Sequence, residues 1–453
     1  MRRHCDVAIV GAGIVGIATA YYLKKLKPSM SVVLIDSGQA MGLTSAQSGE
    51  NYRNWWPHPV MTAFTDHSID LMQALSLESD NLINMSRRGY VLSTRADDVD
   101  TLLSELESGY SQLAHNDIRV HSRGSGVNYK RPVSPIWEEA PSGVDVLRSQ
   151  SLIRETFPSY DRSVKTVVHI RRAGAISAQQ MGQLMLSRFK DSGGVRVSAR
   201  VVGIEYSGGF VLCSDQADTT IKAEKIVNAA GPFINDIARM LGTDLPVSNT
   251  LQQKIAFEDT SGAIPRQMPF SIDLDAQQID WSSDERQLLA QSEEHYWLTQ
   301  ELPGAIHCRP DGGDKGNWVK LGWAFNSNSA EAKHEPALME SFPEIVLHGA
   351  ARLNPSLKAY YGRLPRAMHH YGGYYTLTDE NWPLIGSMDV AGSYVVGAMS
   401  GFGTMAACAA GDLCARVLLA EAVPEYAHAL SPQRYSDADL MAEITALSQR
   451  GIL

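Results

Sequence analysis

The sequence predicts an α/β fold, and three observations within its first 36 residues support that prediction. Asp6–Val10 is a short apolar run of the kind that forms a buried strand. The segment "GAGIVG" follows it and opens a stretch with helical spacing of apolar residues, and a second apolar strand, "SVVLID", ends at Asp36. A strand, a glycine-rich turn, a helix and a strand ending in an acid make up the first unit of a Rossmann-type domain.

The three glycines of this turn have the spacing that a dinucleotide site requires. Gly11 permits the tight turn, Gly13 lets the backbone approach a pyrophosphate, and Gly16 lets the helix pack close to the strand. The pyrophosphate would lie at the helix N-terminus, where unpaired N–H groups point outward. Asp36, 25 residues after Gly11, is placed to accept from a ribose hydroxyl. The motif alone does not separate FAD from NAD, and an incidental glycine turn is the alternative.

Composition and charge exclude several functional classes. The chain has 453 residues, of which 44% are hydrophobic and 20% charged, and this length suffices for one large domain or two ordinary ones. The formal net charge of -10 argues against nucleic acid or an anionic membrane as the main partner, because both need a basic surface. The most apolar long stretch, Tyr394–Val423, is interrupted by glycines, Asp412 and Arg416, so we expect no membrane span.

The cysteines indicate the compartment. They are odd in number, scattered and without a CxxC spacing, which predicts free thiols in a reducing compartment and hence a cytoplasmic protein. The N-terminus is interpreted as mature sequence, because its apolar run carries the glycine motif and no cleavage pattern follows. The five cysteines are Cys5, Cys213, Cys308, Cys408 and Cys414.

Two later segments repeat the strand and glycine pattern. Gly194–Asp236 predicts a strand, a hairpin meander and a further strand ending in "NAAGP". Tyr394–Leu419 predicts a strand, a glycine-rich turn and an Ala-rich helix that begins near Thr404, after Gly401 and Gly403. A second helix N-terminus therefore points at a group that needs backbone contact or partial positive charge.

The motifs "GAGIVG", "VNAAGP", "YYTLTDENWPLIG" and "GAMSGFGT", in this order, resemble those of the D-amino-acid oxidase superfamily of flavoproteins, which includes glycine oxidase, sarcosine oxidase and dimethylglycine dehydrogenase. The match covers nearly the whole chain. It implies a Rossmann-type FAD-binding domain and an α+β substrate-binding domain with a large antiparallel sheet. The implied FAD-binding domain comprises residues 1–90, 150–244 and 373–453, and the substrate-binding domain comprises residues 91–149 and 245–372.

The resemblance also implies an FAD site. The first glycine turn and Asp36 would hold the pyrophosphate and ribose, residues 42–49 would run past the flavin, and Val201 would meet the adenine through its backbone. The 401–405 turn would present N–H groups to the flavin edge where negative charge develops. The implied residues are Gly11, Ala12, Gly13, Ile14, Val15, Gly16, Asp36, Ser37, Thr44, Ser45, Ser48, Gly49, Val201, Ala230, Gly231, Gly401, Phe402, Gly403, Thr404 and Met405.

The chain departs from the family pattern at three points. Relatives with a covalent flavin use a Cys just before the segment similar to "YYTLTDEN", where this chain has Gly373, or a His in the loop after the second strand, where "GLTSAQSGEN" has none. We therefore expect FAD to be bound non-covalently. The family's "TPDG" is also altered, because Thr378 is followed by Asp379, Glu380 and Asn381.

Ser48–Pro59, "SGENYRNWWPHP", follows the predicted flavin loop and is rich in aromatic and cationic residues. We expect it to leave along the substrate side of the flavin. Flat apolar surface and a polar handle would come from this segment, and the alternative is an interdomain core with the arginine paired to an acid. The candidate substrate-binding residues are Tyr52, Arg53, Trp55, Trp56 and His58.

Two other clusters supply candidates. The predicted hairpin of Gly304–Gly313 and Val319–Trp323 carries Arg309, a candidate clamp for a substrate carboxylate, and His307 on the same strand face; the alternative is an arginine that braces the hairpin. Tyr360–Tyr375 carries further candidates, but its adjacent histidines point to opposite faces, so no metal site is expected. The candidates from this segment are Arg363, His369 and Tyr374.

The resemblance implies an FAD-dependent oxidase or dehydrogenase acting on the C–N bond of an amino acid or a secondary or tertiary amine. Hydride would pass from the carbon bearing a neutral amine to flavin N5 and give an imine. An FAD-dependent 2-hydroxy-acid or polyol oxidoreductase using His307 or His369 as base is one alternative, and a non-catalytic FAD-binding assembly subunit is another. The expected partners are the amine or amino acid and O2 or another electron acceptor, and the resemblance allows a homodimer or a larger complex.

Overall fold

Two large sheets dominate the computed structural model, which describes residues 2–113, 117–122, 129–132, 140–216, 219–313 and 315–448. The strands of these ranges are β1 Arg2–Val10, β2 Val32–Asp36, β3 Asn51–Arg53, β4 Tyr90–Thr94, β5 Ile118–His121, β6 Val144–Leu147, β7 Thr166–Ile170, β8 Ala173–Ala175, β9 Val195–Ser198, β10 Val201–Tyr206, β11 Phe210–Ser214, β12 Thr220–Asn228, β13 Ser248–Glu258, β14 Phe270–Asp273, β15 Gln277–Gln278, β16 Glu301–Leu302, β17 Ile306–Asp311, β18 Trp318–Trp323, β19 His369–Leu377, β20 Leu384–Ser387 and β21 Ser393–Gly397.

The helices connect and cover these strands. The α-helices of the described ranges are α1 Ile14–Leu26, α2 Pro59–Glu78, α3 Asp100–Tyr110, α4 Gln150–Thr156, α5 Ala178–Asp191, α6 Ile234–Met240, α7 Ser283–Ala290, α8 Phe342–Ala351, α9 Gly403–Leu419, α10 Ala427–Leu430 and α11 Ala438–Ser448. Short 3-10 helices cover Thr44–Gln47, Gly231–Phe233, Tyr296–Thr299, Pro355–Tyr360 and Pro432–Ser436.

The first sheet has a parallel centre in the order β9, β2, β1, β12 and β21, with β10, β11 and β20 added antiparallel at the sides. Its central strands are continuous Val, Ile and Leu runs because both faces are covered. Helices α1, α5 and α9 pack on one face, and β10, β11 and α6 lie towards the other. This arrangement confirms the Rossmann-type first domain, with β1 longer at its start than the predicted strand.

The second sheet, within the described ranges, has nine strands in the order β19, β13, β18, β17, β14, β4, β7, β6 and β5. Its pairs are antiparallel except for β4 with β14 and β5 with β6. The apolar side chains of β13, β17 and β18 on one face bury against α8. The opposite face lies towards the first domain, and the large, mostly antiparallel sheet expected for the substrate-binding domain is therefore present.

The strand pairing moves two of the predicted domain boundaries. Residues 150–244 were assigned to the first domain, but β7 pairs with β4 and β6 inside the second sheet. The boundary at residue 373 cuts β19, which pairs along its whole length with β13. Antiparallel pairing between distant segments determines both memberships, and such pairing leaves no signal in the local sequence.

Candidate functional site

The first glycine-rich turn lies between β1 and α1 and depends on two close backbone contacts. Gly11 has a φ of 111°, and a Cβ atom there would lie 2.2 Å from the carbonyl oxygen of Ala229. A Cβ atom at Gly16 would lie 2.0 Å from the carbonyl oxygen of Gly11. Both positions therefore require glycine.

Gly13 differs because no backbone atom lies close in front of it. A Cβ atom there would meet only Ser45 Oγ, at 3.2 Å. Gly13 is the N-cap of α1 and makes no side-chain cap, while the Ile14 N–H donates to Ser45 Oγ over 3.0 Å. The other N–H groups of the first turn lack an acceptor within the helix. This open helix N-terminus has the form that binds a phosphate group.

The carboxylate of Asp36 lies beside the same turn. Its Oδ2 accepts from the Ala12 N–H and its Oδ1 from the Gly38 N–H, each over 2.7 Å. Each carboxylate oxygen has a further lone pair, so the group can still accept from a ribose hydroxyl. The Ala199 N–H donates to the Asp36 carbonyl oxygen over 3.0 Å, which brings the start of β10, with Val201, towards the end of β2.

Residues 42–50, called the 42–50 loop below, contact both glycine-rich turns and the second sheet. Besides the contact with α1, the Ser48 and Thr404 hydroxyls share a hydrogen bond of 2.8 Å at the start of α9. At the end of the loop, the Glu50 carboxylate lies 2.8 Å from Lys320 Nζ on β18. The loop therefore brings two helix N-termini and one face of the second sheet to the same place.

The second glycine-rich turn, residues 401–405, leads into α9. Phe402 is the N-cap and makes no side-chain cap, so the first-turn N–H groups are open here as well. The Tyr375 ring covers Gly401, where a Cβ atom would lie 2.6 Å from the ring. Trp56 meets Phe402 edge to face, with ring centroids 4.7 Å apart. The turn is thus held on two sides, and its uncapped backbone donors are of the kind that suits a group gaining negative charge.

Taken together, these elements fit a dinucleotide. Two helix N-termini lack side-chain caps, Gly13 has no backbone atom close in front of it, and the buried Thr44 hydroxyl has no partner among the described residues. Such groups are satisfied by water or by a ligand, and a phosphate or another polar cofactor group suits them well. The remaining predicted cofactor residues lie on or beside these elements, and their roles stay predictions: Val15, Ser37, Gly49, Ala230, Gly231, Gly403 and Met405.

Cross-strand pairing turns one row of side chains towards the 42–50 loop. Lys254 on β13 lies opposite Tyr371 on one side and Gly322 on the other, and Gly322 lies opposite His307. Directly opposed residues share a face of the sheet, as do residues two apart on one strand. A Cβ atom at Gly49 would lie 3.9 Å from Lys254 Cε. We call this the facing side. His369 and Glu258 lie at its far end, and the members used below are Lys254, His307, Arg309, Asp311, Lys320, Tyr371 and Tyr375.

Arg309 and Lys320 form a compact charged cluster with two carboxylates. Arg309 Nη2 lies 2.9 Å from Asp311 Oδ1 and 3.3 Å from Glu50 Oε2. Lys320 Nζ lies 3.3 Å from Asp311 Oδ2, in addition to its contact with Glu50. Burial raises the pKa of Asp311, but the Arg309 and Lys320 charges outweigh it and leave that pKa below its usual value. The two cations thus have partners within the chain, which favours the bracing role for Arg309 over the carboxylate clamp.

We expect Arg309→Met to lower the free energy of unfolding by about 2–4 kcal/mol, because it leaves two largely buried carboxylates with one cation. Arg309→Lys keeps the charge and should recover part of the loss. Chemical denaturation of the three proteins measures both effects. A variant with normal stability but a raised KM for a carboxylate-bearing substrate would restore the clamp assignment.

The position of Tyr374 requires a correction. It lies on the face of β19 opposite to the facing side, where its hydroxyl accepts from the Lys333 N–H over 2.9 Å. Its neighbour Tyr375 is the one that contacts the second glycine turn. Successive side chains on a strand point to opposite faces, so only one of two adjacent tyrosines can face the site.

His307 lies on the facing side as expected, but it is poorly suited to act as a base. Its ring packs beside Phe270, with centroids 5.1 Å apart. Burial, and then the neighbouring Lys254 charge, lowers the pKa of His307 to about 3. A neutral imidazole with so low a pKa accepts a proton only weakly.

Most side chains of the segment 52–58 are buried in the interior of the protein. Tyr52 and Trp55 are fully buried, and the Tyr52 hydroxyl donates to the Ser86 carbonyl oxygen over 2.8 Å. The Arg53 guanidinium lies 4.7 Å from the Trp56 ring and is also buried. This packing favours the interdomain-core interpretation.

Three further substrate candidates lie away from the centre of the facing side. His58 caps α2, where its Nδ1 accepts from the Val60 N–H over 3.1 Å. Arg363 is exposed in the segment after Pro355–Tyr360, and the exposed His369 lies at the start of β19 beside Trp318. Their roles as substrate ligands stay predictions.

Sequence reasoning missed Lys254, Lys320, Glu50 and Tyr375. Lys254 carried a usable signal, because a lysine in the middle of the strand "LQQKIAFE" is rarely buried without a function. Glu50 carried none, since its partners are 259 and 270 residues away in the chain.

Within the described part of the chain, no group of three or more His, Cys, Asp and Glu side chains is arranged to hold a metal ion. No helix in the same ranges is long and apolar enough to cross a membrane.

Comparison with known proteins identifies a family and several similar proteins. The family model described as FAD dependent oxidoreductase (DAO) matches residues 6–417. Among curated proteins, sarcosine oxidase subunit beta of Arthrobacter sp is 23% identical over 266 residues, which are 57% of this chain and 58% of that protein. The chain thus matches little more than half the length of this relative.

Solved structures match over nearly the whole chain. L-proline dehydrogenase from P. horikoshii has a TM-score of 0.73 at 17% identity and covers 96% of this chain and 99% of its own. Glycine oxidase from Geobacillus kaustophilus has a TM-score of 0.71 at 16% identity, with coverages of 95% and 98%. At these identities the likeness establishes the fold.

Proposed function

The chain belongs to the family of FAD dependent oxidoreductases, and from that premise we propose that it oxidises the C–N bond of an amino acid or of a secondary or tertiary amine to an imine. The convergence of both glycine-rich turns and the facing side on the 42–50 loop carries this proposal. It joins a dinucleotide site to a sheet face rich in cationic and aromatic side chains. The similar proteins named above, a sarcosine oxidase subunit, a proline dehydrogenase and a glycine oxidase, agree with an amine substrate.

The residues that would hold FAD are those of the two turns, the 42–50 loop and Asp36. The open N-terminus of α1 would take the pyrophosphate, and the N–H groups of residues 401–405 would stabilise negative charge. When bound, FAD supplies the acceptor for the hydride that leaves the carbon bearing the amine.

The facing side has the remaining task of binding and orienting the substrate. Its aromatic members Tyr371 and Tyr375 offer apolar surface, and its cations offer charge. Removing a hydride from a carbon next to a neutral amine needs no strong base, which agrees with the low pKa of His307. The 2-hydroxy-acid alternative would need such a base, and His307, one of its two candidate bases, is poorly suited to that role because of its low pKa.

FAD is expected to be bound non-covalently. Position 373, where a covalent anchor would stand, is a glycine whose Cβ position lies 3.1 Å from Gln47 Cβ, and residues 42–51 contain no histidine. Acid precipitation of the purified protein should release all yellow chromophore into the supernatant. Colour that stays in the washed pellet would contradict a non-covalent FAD.

The proposed partners follow from the same reaction. O2 or another acceptor takes the electrons, and the likeness to sarcosine oxidase subunit beta supports an assembly as a homodimer or as a subunit of a larger complex. A cytoplasmic location is supported by the cysteines, all five of which lie in the described ranges as free thiols.

A substrate panel tests the proposed activity. The purified holoprotein is incubated with amino acids, N-methyl amino acids, simple amines, 2-hydroxy acids and polyols, and the carbonyl product and released amine are quantified. Parallel assays with O2 and with an artificial electron acceptor separate an oxidase from a dehydrogenase. Turnover of hydroxy compounds alone would contradict the proposal.

A further inference from the structure

Lys254 has an environment that sets it apart from the other cations of the facing side. It lies in the middle of β13, between β18 and β19, and only 6% of its surface is exposed. Its Nζ lies 5.6 Å from the Tyr375 ring centroid, and its cross-strand neighbours are Tyr371 and Gly322. Within the described ranges, no acidic side chain lies within salt-bridge distance of this amine.

Two carboxylates on or beside this face already form ion pairs with other cations. Glu50 and Asp311 both pair with Arg309 and Lys320. Arg309 retains one buried, unpartnered N–H at Nε, but its charge is balanced by these two acids. A buried ammonium without a counter-ion is unfavourable, so the chain holds Lys254 in a state that an external anion would stabilise.

Resting on the proposed function, we propose that Lys254 binds the carboxylate of the substrate, which makes the substrate class an amino acid rather than a simple amine. The site lies beside Gly49 of the 42–50 loop and Tyr375, which covers the second glycine turn, so an anion at Lys254 would lie at the junction of the cofactor elements and the facing side. Lys254 is here a substrate-binding residue and takes no part in proton transfer.

The electrostatics of the site agree with this role. Burial alone lowers the pKa of Lys254 to about 8, with no carboxylate contributing. A bound carboxylate would raise that pKa again, and anion binding should therefore be strongest where the amine is protonated. The groups that face Lys254 from the neighbouring strands and loop are His307, Arg309, Lys320, Tyr371, Tyr375 and Glu50.

The neighbouring imidazole and phenol groups do not titrate between pH 7 and 10, so a pH dependence of anion binding in this range is not theirs. The pKa of His307 is lowered to about 3 and that of Tyr375 is raised to about 12 by burial. Burial also raises the pKa of Tyr371. The Kd of a simple carboxylate should therefore be flat below pH 8 and rise about tenfold per pH unit above the pKa of Lys254.

The experiment uses propionate as the probe, because it carries a carboxylate and no amine. The holoprotein is titrated with propionate and the perturbation of the flavin spectrum is followed, for wild type, Lys254→Met and Lys254→Arg. We expect Lys254→Met to weaken binding roughly 10–100-fold, as for loss of one charge-assisted contact, and Lys254→Arg to recover part of it.

Lys24→Met provides a matched control. Lys24 on α1 is also 6% exposed, but its ammonium bonds the carbonyl oxygens of Pro28 and Met30. This control should lose stability and keep propionate affinity. Lys254→Met should keep FAD and be at least as stable as wild type below pH 8, because an unbalanced buried charge is removed. Stability lost in Lys254→Met with unchanged propionate affinity would overturn the assignment.

Steady-state kinetics test the role of Lys254 and the proposed function independently. For an amino acid that the wild type oxidises, Lys254→Met should raise KM roughly 10–100-fold, a much larger factor than the change in kcat, and the change in KM for the decarboxylated amine should be several-fold smaller. Normal KM in Lys254→Met would reject the inference and leave amine oxidation standing. A wild type that no amine or amino acid reduces would reject the proposed function, while the propionate titration would still decide the role of Lys254.

Discussion

Gly13→Val is expected to abolish FAD retention while leaving the fold intact. The position lies at the uncapped N-terminus of α1, where a Cβ atom meets no backbone atom and only the Ser45 side chain, whose Oγ at 3.2 Å must shift by a few tenths of an ångström. The protein alone therefore tolerates a side chain at Gly13, whereas a pyrophosphate at the same helix end does not. FAD bound per chain after purification should fall at least tenfold, which corresponds to about 1.4 kcal/mol or more.

Two further glycine variants make this result interpretable. Gly16→Ala should destabilise the fold itself, because its Cβ atom would lie 2.0 Å from a backbone oxygen that cannot move aside. Gly13→Ala should give an intermediate loss of FAD with normal thermal stability after the cofactor is removed. If Gly13→Val retains stoichiometric FAD, the first glycine turn is a structural feature only.

Arg434→Met is expected to produce the largest loss of stability among single changes outside the glycine turns. Arg434 is fully buried and Glu380 is 5% exposed. Arg434 Nε donates to Glu380 Oε1 over 2.8 Å and Nη1 donates to the Pro383 carbonyl oxygen over 2.6 Å. Loss of the cation leaves a buried carboxylate without its counter-ion and removes the Arg434 donor to the Pro383 carbonyl oxygen, so the free energy of unfolding should fall by about 3–5 kcal/mol.

A double-mutant cycle tests whether the pair is responsible. Glu380→Gln removes the opposite charge with little change of shape, and the Tyr435 hydroxyl that donates to Glu380 over 2.8 Å keeps an acceptor. Arg434→Met combined with Glu380→Gln should cost less than the sum of the single changes. Additive losses in urea denaturation would indicate that the two side chains act independently.

The altered family motif around Glu380 illustrates what the sequence could predict. The segment was expected to differ locally from "TPDG", and the turn nevertheless forms, because Asn381 takes the left-handed conformation, with a φ of 60°, that glycine would take. Asparagine is among the few residues that adopt it readily. The buried pairing with Arg434, 54 residues later in the chain, has no local signal.

The first domain was predictable because its evidence is local. Parallel strands buried on both faces are continuous apolar runs, and the glycine spacing fixes the turn that follows β1. Both glycine turns and their helices appear where the sequence places them. The 42–50 loop was predicted to pass the flavin from family resemblance alone, and its hydrogen bonds to α1 and α9 involve hydroxyl groups that no pattern distinguishes.

The second domain was less predictable because its face is assembled from distant strands. The hairpin of β17 and β18 was found, and Arg309 and His307 do share a face. Arg309 pairs with Glu50 of the 42–50 loop as well as with Asp311 on its own strand, and Lys254 reaches the same face from β13. The charge balance that favours bracing for Arg309, and leaves Lys254 without a counter-ion, therefore becomes visible only after folding. For the adjacent tyrosines 374 and 375, the pairing of β19 with β13 decides which of the two faces the site, and their own sequence does not.

The central claim is that FAD held between the two glycine turns accepts electrons from an amine bound on the facing side. The most direct test is anaerobic mixing of the purified holoprotein with amino acids and amines while the visible flavin absorbance is recorded. We predict bleaching by at least one amino acid, in proportion to the amount added up to one equivalent, and retained colour with 2-hydroxy acids and polyols. Flavin that stays oxidised with every amine and amino acid, in a protein that dithionite reduces normally, would contradict the claim.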